Sequence, residues 1–137
     1  MSVEVDLAFL DDSDEAKANR VDVAIGEDSE FHATYAYYAQ GVQVSVAILP
    51  EGWRDRVVVY RSESAKPAEA VCLDPHDTVI AKLAAYREKD LSFAAALLDA
   101  GLIDLATLLD RAATIPPIYG MRVRNWLFAY QRKRSRE

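Results

Sequence analysis

Glu4 and Asp6 stand two residues apart in the run Val3-Glu4-Val5-Asp6-Leu7-Ala8-Phe9, where apolar and acidic positions alternate. On a strand, that spacing sends both carboxylates out of one face with Cα atoms roughly 6.5–7 Å apart. Two carboxylates so placed can converge on a hard divalent cation such as magnesium, which takes one or two of them together with water and phosphate oxygens. The same alternation also describes the solvated face of an edge strand. A second set lies in Ala81-Lys82-Leu83-Ala84-Ala85-Tyr86-Arg87-Glu88-Lys89-Asp90. If one helix runs through this segment, Lys82, Tyr86 and Lys89 share a stripe, and two ammonium groups on one face suit the phosphates of a nucleotide. The same wheel puts Arg87 and Asp90 on the apolar side with Val79, Ile80, Leu83 and Ala94. Unpaired burial there is costly, so either they pair with each other at i, i+3, or the helix breaks and Asp90 caps the next one.

Two further groups suggest less. Cys72, Asp74, His76 and Asp77 form a compact set of potential metal ligands, but Asp74-Pro75 is a helix start and commits the first of the two aspartates. His32, near Glu27 and Glu30, is placed to serve as a base or as an ordinary surface or core histidine. No serine nucleophile motif and no glycine-rich phosphate loop is present.

The elements that must carry these residues change character along the chain. Val3–Phe9 reads as a strand; Asp11–Asp14 is an acidic turn leading to a helix from about Glu15 to Ile25, closed by Gly26. Val42, Val44, Val46 and Ile48 alternate with Gln43, Ser45 and Ala47 as a second strand ending at Pro50. Tyr35, Tyr37 and Tyr38 extend it back through Gly41. Arg56–Tyr60 and Ala70–Leu73 are a third and fourth strand, with a surface loop over 62–67. From Asp74 the period is helical: an apolar stripe of Val79, Ile80 and Leu83, then Leu91, Ala94, Ala95, Leu97 and Leu98 up to Gly101. A helix capped by Asp104 carries Leu105, Leu108, Leu109 and Ala112. After Pro116-Pro117 the last helix carries Val123, Trp126, Leu127 and Tyr130. The order β-α-β-β-β followed by about four helices is an α+β plan. It predicts a single domain over 1–137, with a mixed-sheet half (1–73) and a helical half (74–137).

Composition bounds the partners. The 137 residues carry a formal charge of −6, unevenly: residues 1–60 sum to −8, residues 61–120 to −3 and residues 121–137 to +5. The basic end, Arg122, Arg124, Arg132, Lys133, Arg134 and Arg136, can meet nucleic acid or an acidic partner, or simply solvate a helix end whose dipole favours cations. A lone cysteine excludes an internal disulfide and a four-thiolate zinc site. No apolar run approaches the ~18–20 residues of a membrane span, and Met1–Asp6 has neither the basic flank nor the apolar stretch of a secretory signal. The expectation is a cytoplasmic protein without a membrane partner.

Several segments in order carry a resemblance: Glu4-Val5-Asp6-Leu7, Gly26-Glu27-Asp28-Ser29-Glu30-Phe31-His32, Tyr38-Ala39-Gln40-Gly41-Val42 and Leu49-Pro50-Glu51-Gly52-Trp53. With Leu73-Asp74-Pro75-His76-Asp77 running into Ala81-Lys82-Leu83 and Arg87-Glu88-Lys89-Asp90-Leu91, the chain resembles an uncharacterised bacterial branch of the nucleotidyltransferase superfamily. The last two segments are also similar to the lysine and Arg/Lys-Asp segments of abortive-infection nucleotidyltransferase toxins. The resemblance implies a small mixed sheet flanked by helices. It also implies transfer of a nucleotide from a nucleoside triphosphate to an acceptor such as RNA, and a toxin–antitoxin setting with an antitoxin or other protein partner. On that basis Glu4 and Asp6 are the catalytic, magnesium-holding pair, Lys82 and Lys89 contact phosphates, and Asp90 orients a base or ligand. Two positions depart from the family pattern. Its Gly-Ser segment lies upstream of the acid pair, where this sequence has only Met1, Ser2 and Val3, and the 42–48 run offers no third carboxylate, with Ser45 at the plausible place. These departures leave open a site completed by an upstream segment or by a second subunit of a homo-oligomer, and equally a non-catalytic interaction module that retains the fold.

Overall fold

A computed structural model describes residues 3–136, which fall into two compact units, one running to Ala47 and the other beginning at Ile48. Together they give the expected mixed α/β architecture with a helical C-terminal half. The packing boundary lies well before the change of sequence period at 73/74, because the third and fourth strands belong with the helices.

The first unit is built as β1 (Glu4–Ala8), α1 (Ala16–Ile25), α2 (Glu30–Tyr35) and β2 (Tyr38–Val42). β1 and β2 pair in parallel from Glu4↔Tyr38 to Ala8↔Val42, which requires the intervening helices to carry the chain back to the starting end. Asp12 starts α1: its two carboxylate oxygens accept the N–H groups of Lys17 and Ala18 at 2.9 and 2.8 Å, satisfying amides that have no partner inside the helix. Ser29 caps α2 by accepting the His32 N–H at 3.1 Å. Asp28 donates its own N–H to Nδ1 of His32 at 3.1 Å, so one ring nitrogen of that histidine is occupied locally. Gly41 is where α1 rests on β2. A Cβ there would lie 2.3 Å from the Ala18 carbonyl oxygen, and the Gly41 N–H donates to the Asp22 carboxylate at 2.6 Å.

The strand expected over 42–48 is corrected by this pairing. β1 ends at Ala8 and gives way to the acidic turn, so the ladder stops at Ala8↔Val42; beyond it Val44–Val46 forms one turn of 3-10 helix despite its alternating pattern. The strand lies upstream instead, and Tyr35, expected within it, ends α2.

In the second unit, a 3-10 turn at Trp53–Arg56 leads into β3 (Val58–Arg61) and its antiparallel partner β4 (Glu69–Cys72), paired Val58↔Cys72 to Arg61↔Glu69. Then follow α3 (Pro75–Ala85), α4 (Glu88–Asp99), α5 (Leu105–Ala112) and α6 (Pro117–Arg134). The described strands therefore form two separate two-stranded sheets, one parallel and one antiparallel. Val79, Ile80, Leu83, Leu108, Val123 and Leu127 are fully buried and form the helical core. Each contributes about 1.5–3 kcal/mol of apolar burial.

α3 is fixed at its start by charge. Asp74 caps it, accepting the His76 N–H at 2.9 Å, with Pro75 at the first helical position as expected. Asp77, completely buried, receives Arg56 through Nε and Nη2 at 2.9 and 3.0 Å and Arg111 of α5 through Nη1 at 2.9 Å. Arg111 also pairs with Asp74. The His76 ring reaches Asp74 at 3.3 Å and the α5 cap, Asp104, at 3.1 Å. Burial pushes the Asp74 carboxyl up, but the Arg111 hydrogen bond and the His76 N–H more than reverse it, holding the group below the ordinary carboxylate value. Asp74 and Asp77 are thus committed to arginines and Cys72 is exposed; among the described residues no three His, Cys, Asp or Glu side chains gather as a metal site. No described helix is long and apolar enough to cross a membrane.

Candidate functional site

The junction of α3 and α4 gathers the chemistry-bearing residues of the second unit. Of the two readings open for this segment, a helix running through or a break, the structure has the break: α3 stops at Ala85, and Tyr86 takes a left-handed backbone (φ 62°, ψ 30°) while its N–H closes the last turn on the Lys82 carbonyl. Arg87 is extended, and α4 begins at Glu88. The break replaces the anticipated stripe of Lys82, Tyr86 and Lys89 by a corner. The kink leaves Arg87 exposed while its guanidinium and its backbone N–H both reach the buried Asp90.

Asp90 is the centre of that corner. Only 1% exposed, it sits in the first turn of α4, three residues after the cap. Arg87 donates to it from Nε at 2.6 Å, from Nη2 at 3.2 Å and from the backbone N–H at 3.3 Å. Lys82 brings Nζ to 3.9 Å from the same carboxylate and to 5.4 Å from the Phe93 ring centroid. Burial raises the Asp90 carboxyl, yet the Arg87 hydrogen bond and charge, its backbone N–H and the Lys82 charge together bring it below the ordinary value. The carboxylate is therefore ionised and shared by two cations. Lys89, beside it in sequence, is exposed on the first turn of α4. From α6, Arg122 donates to the Ala84 carbonyl and lies 5.0 Å from the Tyr86 ring centroid, closing the C-terminal end of α3.

Lys82 and Asp90 are thus brought together, with Lys89 adjacent. Arg87 holds Asp90 as the i, i+3 alternative anticipated. Tyr86, placed with Lys82 and Lys89 if the helix ran through, stands instead at the break; Arg122 was not foreseen as part of the corner, because a contact from α6 leaves no local trace in sequence. Glu4 and Asp6 belong to the first unit. They alternate on β1 as expected, Glu4 half-buried and Asp6 exposed, with Tyr38 and Gln40 as their ladder neighbours. β2 adds no acid beside them, and Asp22, the nearest acid in its hydrogen bonding, is taken by the Gly41 N–H.

Residues 7–131 match the model of a family described as nucleotidyltransferase of unknown function (DUF6036). The chain belongs to that family. No curated protein and no solved structure matches it. For this nucleotidyltransferase family member, the matched region contains the whole corner from Lys82 to Asp90 and begins one residue after Asp6. The corner can bind an anion: Lys82, Arg87, Lys89 and Arg122 supply four positive groups, and the Asp90 carboxylate that holds Lys82 and Arg87 is buried. Arginine and lysine side chains pre-ordered in this way lose little freedom on meeting a phosphate.

Proposed function

We propose that this member of the nucleotidyltransferase family binds a magnesium nucleoside triphosphate and that the α3–α4 corner holds the phosphates. The observation that carries the reading is Asp90, buried and ionised, with the Arg87 guanidinium and the Lys82 ammonium drawn onto it. In this reading Lys82, Arg87 and Lys89 contact phosphate oxygens. Asp90 acts as a positioning residue that keeps two of those cations in place between ligands, rather than touching a base directly. The donor set on β1 suits magnesium: two carboxylates on one strand face, with water and phosphate oxygens left to complete an octahedron. Glu4 and Asp6 would hold a magnesium ion on the first unit; when bound, such an ion neutralises the charge of oxygen ligands and acts as a Lewis acid. The proposal extends to a nucleotide transfer of toxin–antitoxin type with an RNA acceptor. Arg124, Arg132, Lys133 and Arg136 support the RNA, having no ion pair among the described residues.

Titration calorimetry with magnesium and each nucleoside triphosphate tests the reading. Wild type should bind, and Lys82→Ala should weaken binding by about 10–100-fold, the loss of one charge-assisted contact at ~1.5–3 kcal/mol. No binding by wild type at millimolar ligand sinks it.

A further inference from the structure

Tyr86 stands between the cations of the corner along the chain, four residues after Lys82 and immediately before Arg87. Its φ of 62° lies where a residue with a Cβ is strained and glycine or asparagine is not. A helix that needed only to end at this point would be better served by either of those residues. The ring is nevertheless held in a defined place: the Arg122 guanidinium lies 5.0 Å from its centroid and 5.8 Å from that of Tyr119, and Arg122 is itself anchored on the Ala84 carbonyl. At 39% exposure the braced ring still presents surface to solvent. A nucleotide needs cations for its phosphates and a π-face for its base, and here an aromatic ring borders the cations in the same turn of chain.

We propose that Tyr86 is the nucleobase platform of this site, a proposal that rests on the corner being the triphosphate site. The base stacks on the phenol ring while Lys82, Arg87 and Lys89 take the phosphates. Stacking uses the π-face that every base has, so the platform accepts all four bases, purines more tightly than pyrimidines because their overlap is larger.

Calorimetry on the full chain with magnesium ATP, magnesium UTP and inorganic tripolyphosphate separates the platform from the phosphate site. Tyr86→Gly should keep or raise the melting temperature, since it relieves the left-handed strain, and should bind ATP about tenfold more weakly while binding tripolyphosphate as wild type does. Tyr86→Asn, which also tolerates that backbone, should behave alike, and Tyr86→Phe should bind like wild type. Lys82→Ala should lose affinity for both ligands. Wild-type ATP affinity in Tyr86→Gly overturns the platform, as does an equal loss of tripolyphosphate or a fall in melting temperature that accounts for weaker binding. If wild type binds neither ligand, the phosphate site itself is wrong and the platform with it.

Discussion

Replacing Asp77 by alanine tests whether the charged network at the start of α3 holds the second unit together. Three hydrogen bonds converge on this carboxylate, two from Arg56 and one from Arg111, all between 2.9 and 3.0 Å, and none of it is exposed. The two arginine side chains are themselves only 29% and 17% exposed, so removing Asp77 leaves Arg56 with the Glu51 carbonyl and Arg111 with Asp74, two poorly hydrated guanidiniums with one carboxylate fewer between them. Breaking a buried pair by deleting one partner costs about 3–5 kcal/mol. For a unit of this size each kcal/mol is worth ~4 °C or more, so the melting temperature should drop by more than about 10 °C. Asp77→Asn keeps the volume and one acceptor oxygen and should fall between alanine and wild type. Circular dichroism during heating and in urea gives both the midpoint and the urea slope. A loss below ~1 kcal/mol with an unchanged slope would refute the reasoning, because it would mean that the arginines find equivalent partners once the carboxylate is gone.

Four other outcomes follow from the structure. Asp74, Asp90 and Asp104 all have carboxyls held below their ordinary value of 3.8, so they contribute stability that is fully present above that pH and lost as the pH falls through their lower folded values. Urea titrations at stepped pH should therefore show acid weakening that starts near pH 4 and deepens below it, and Asp90→Asn should flatten the curve. Gly41→Ala should weaken α1 docking by about 1–3 kcal/mol, since the added methyl meets backbone rather than a movable side chain, and limited proteolysis should cut residues 3–47 faster. Glu4→Gln with Asp6→Asn should abolish magnesium binding on β1, read by titration calorimetry with magnesium chloride alone; unchanged magnesium binding would remove these residues from the metal site. Converting Arg132, Lys133 and Arg136 to glutamine should lower RNA affinity and flatten its salt dependence, as read by fluorescence anisotropy at several salt concentrations.

Helix starts were the most legible features of the chain, because a cap is written in two or three adjacent residues. Asp74-Pro75 and Asp104 each begin a helix where their side chains imply, accepting the N–H groups of His76 and Thr107. The last helix buries Val123 and Leu127 as its period requires. Alternation alone misled at 42–48, since a strand depends on a neighbour of equal length and β1 is too short to provide one. α2 passed unnoticed although Ser29 caps it, because six residues are too few to display a helical period. In the candidate site, the types of Lys82, Lys89 and Asp90 were readable, and so was the pairing of Arg87 with Asp90. A break in this segment was one of two readings the sequence left open; its place at Tyr86 was not readable, because a left-handed cap at a residue with a Cβ carries no local signal of the glycine or asparagine kind.

His76 has a consequence for how the second unit comes apart. Helices ordinarily loosen from their ends one by one, yet this imidazole is shared by the opening turns of α3 and α5, through Asp74 on one side and Asp104 on the other. Neither end can unwind without releasing the other's anchor. Amides in the two opening turns should accordingly exchange with solvent at matched rates, as one cooperative opening rather than two independent frays.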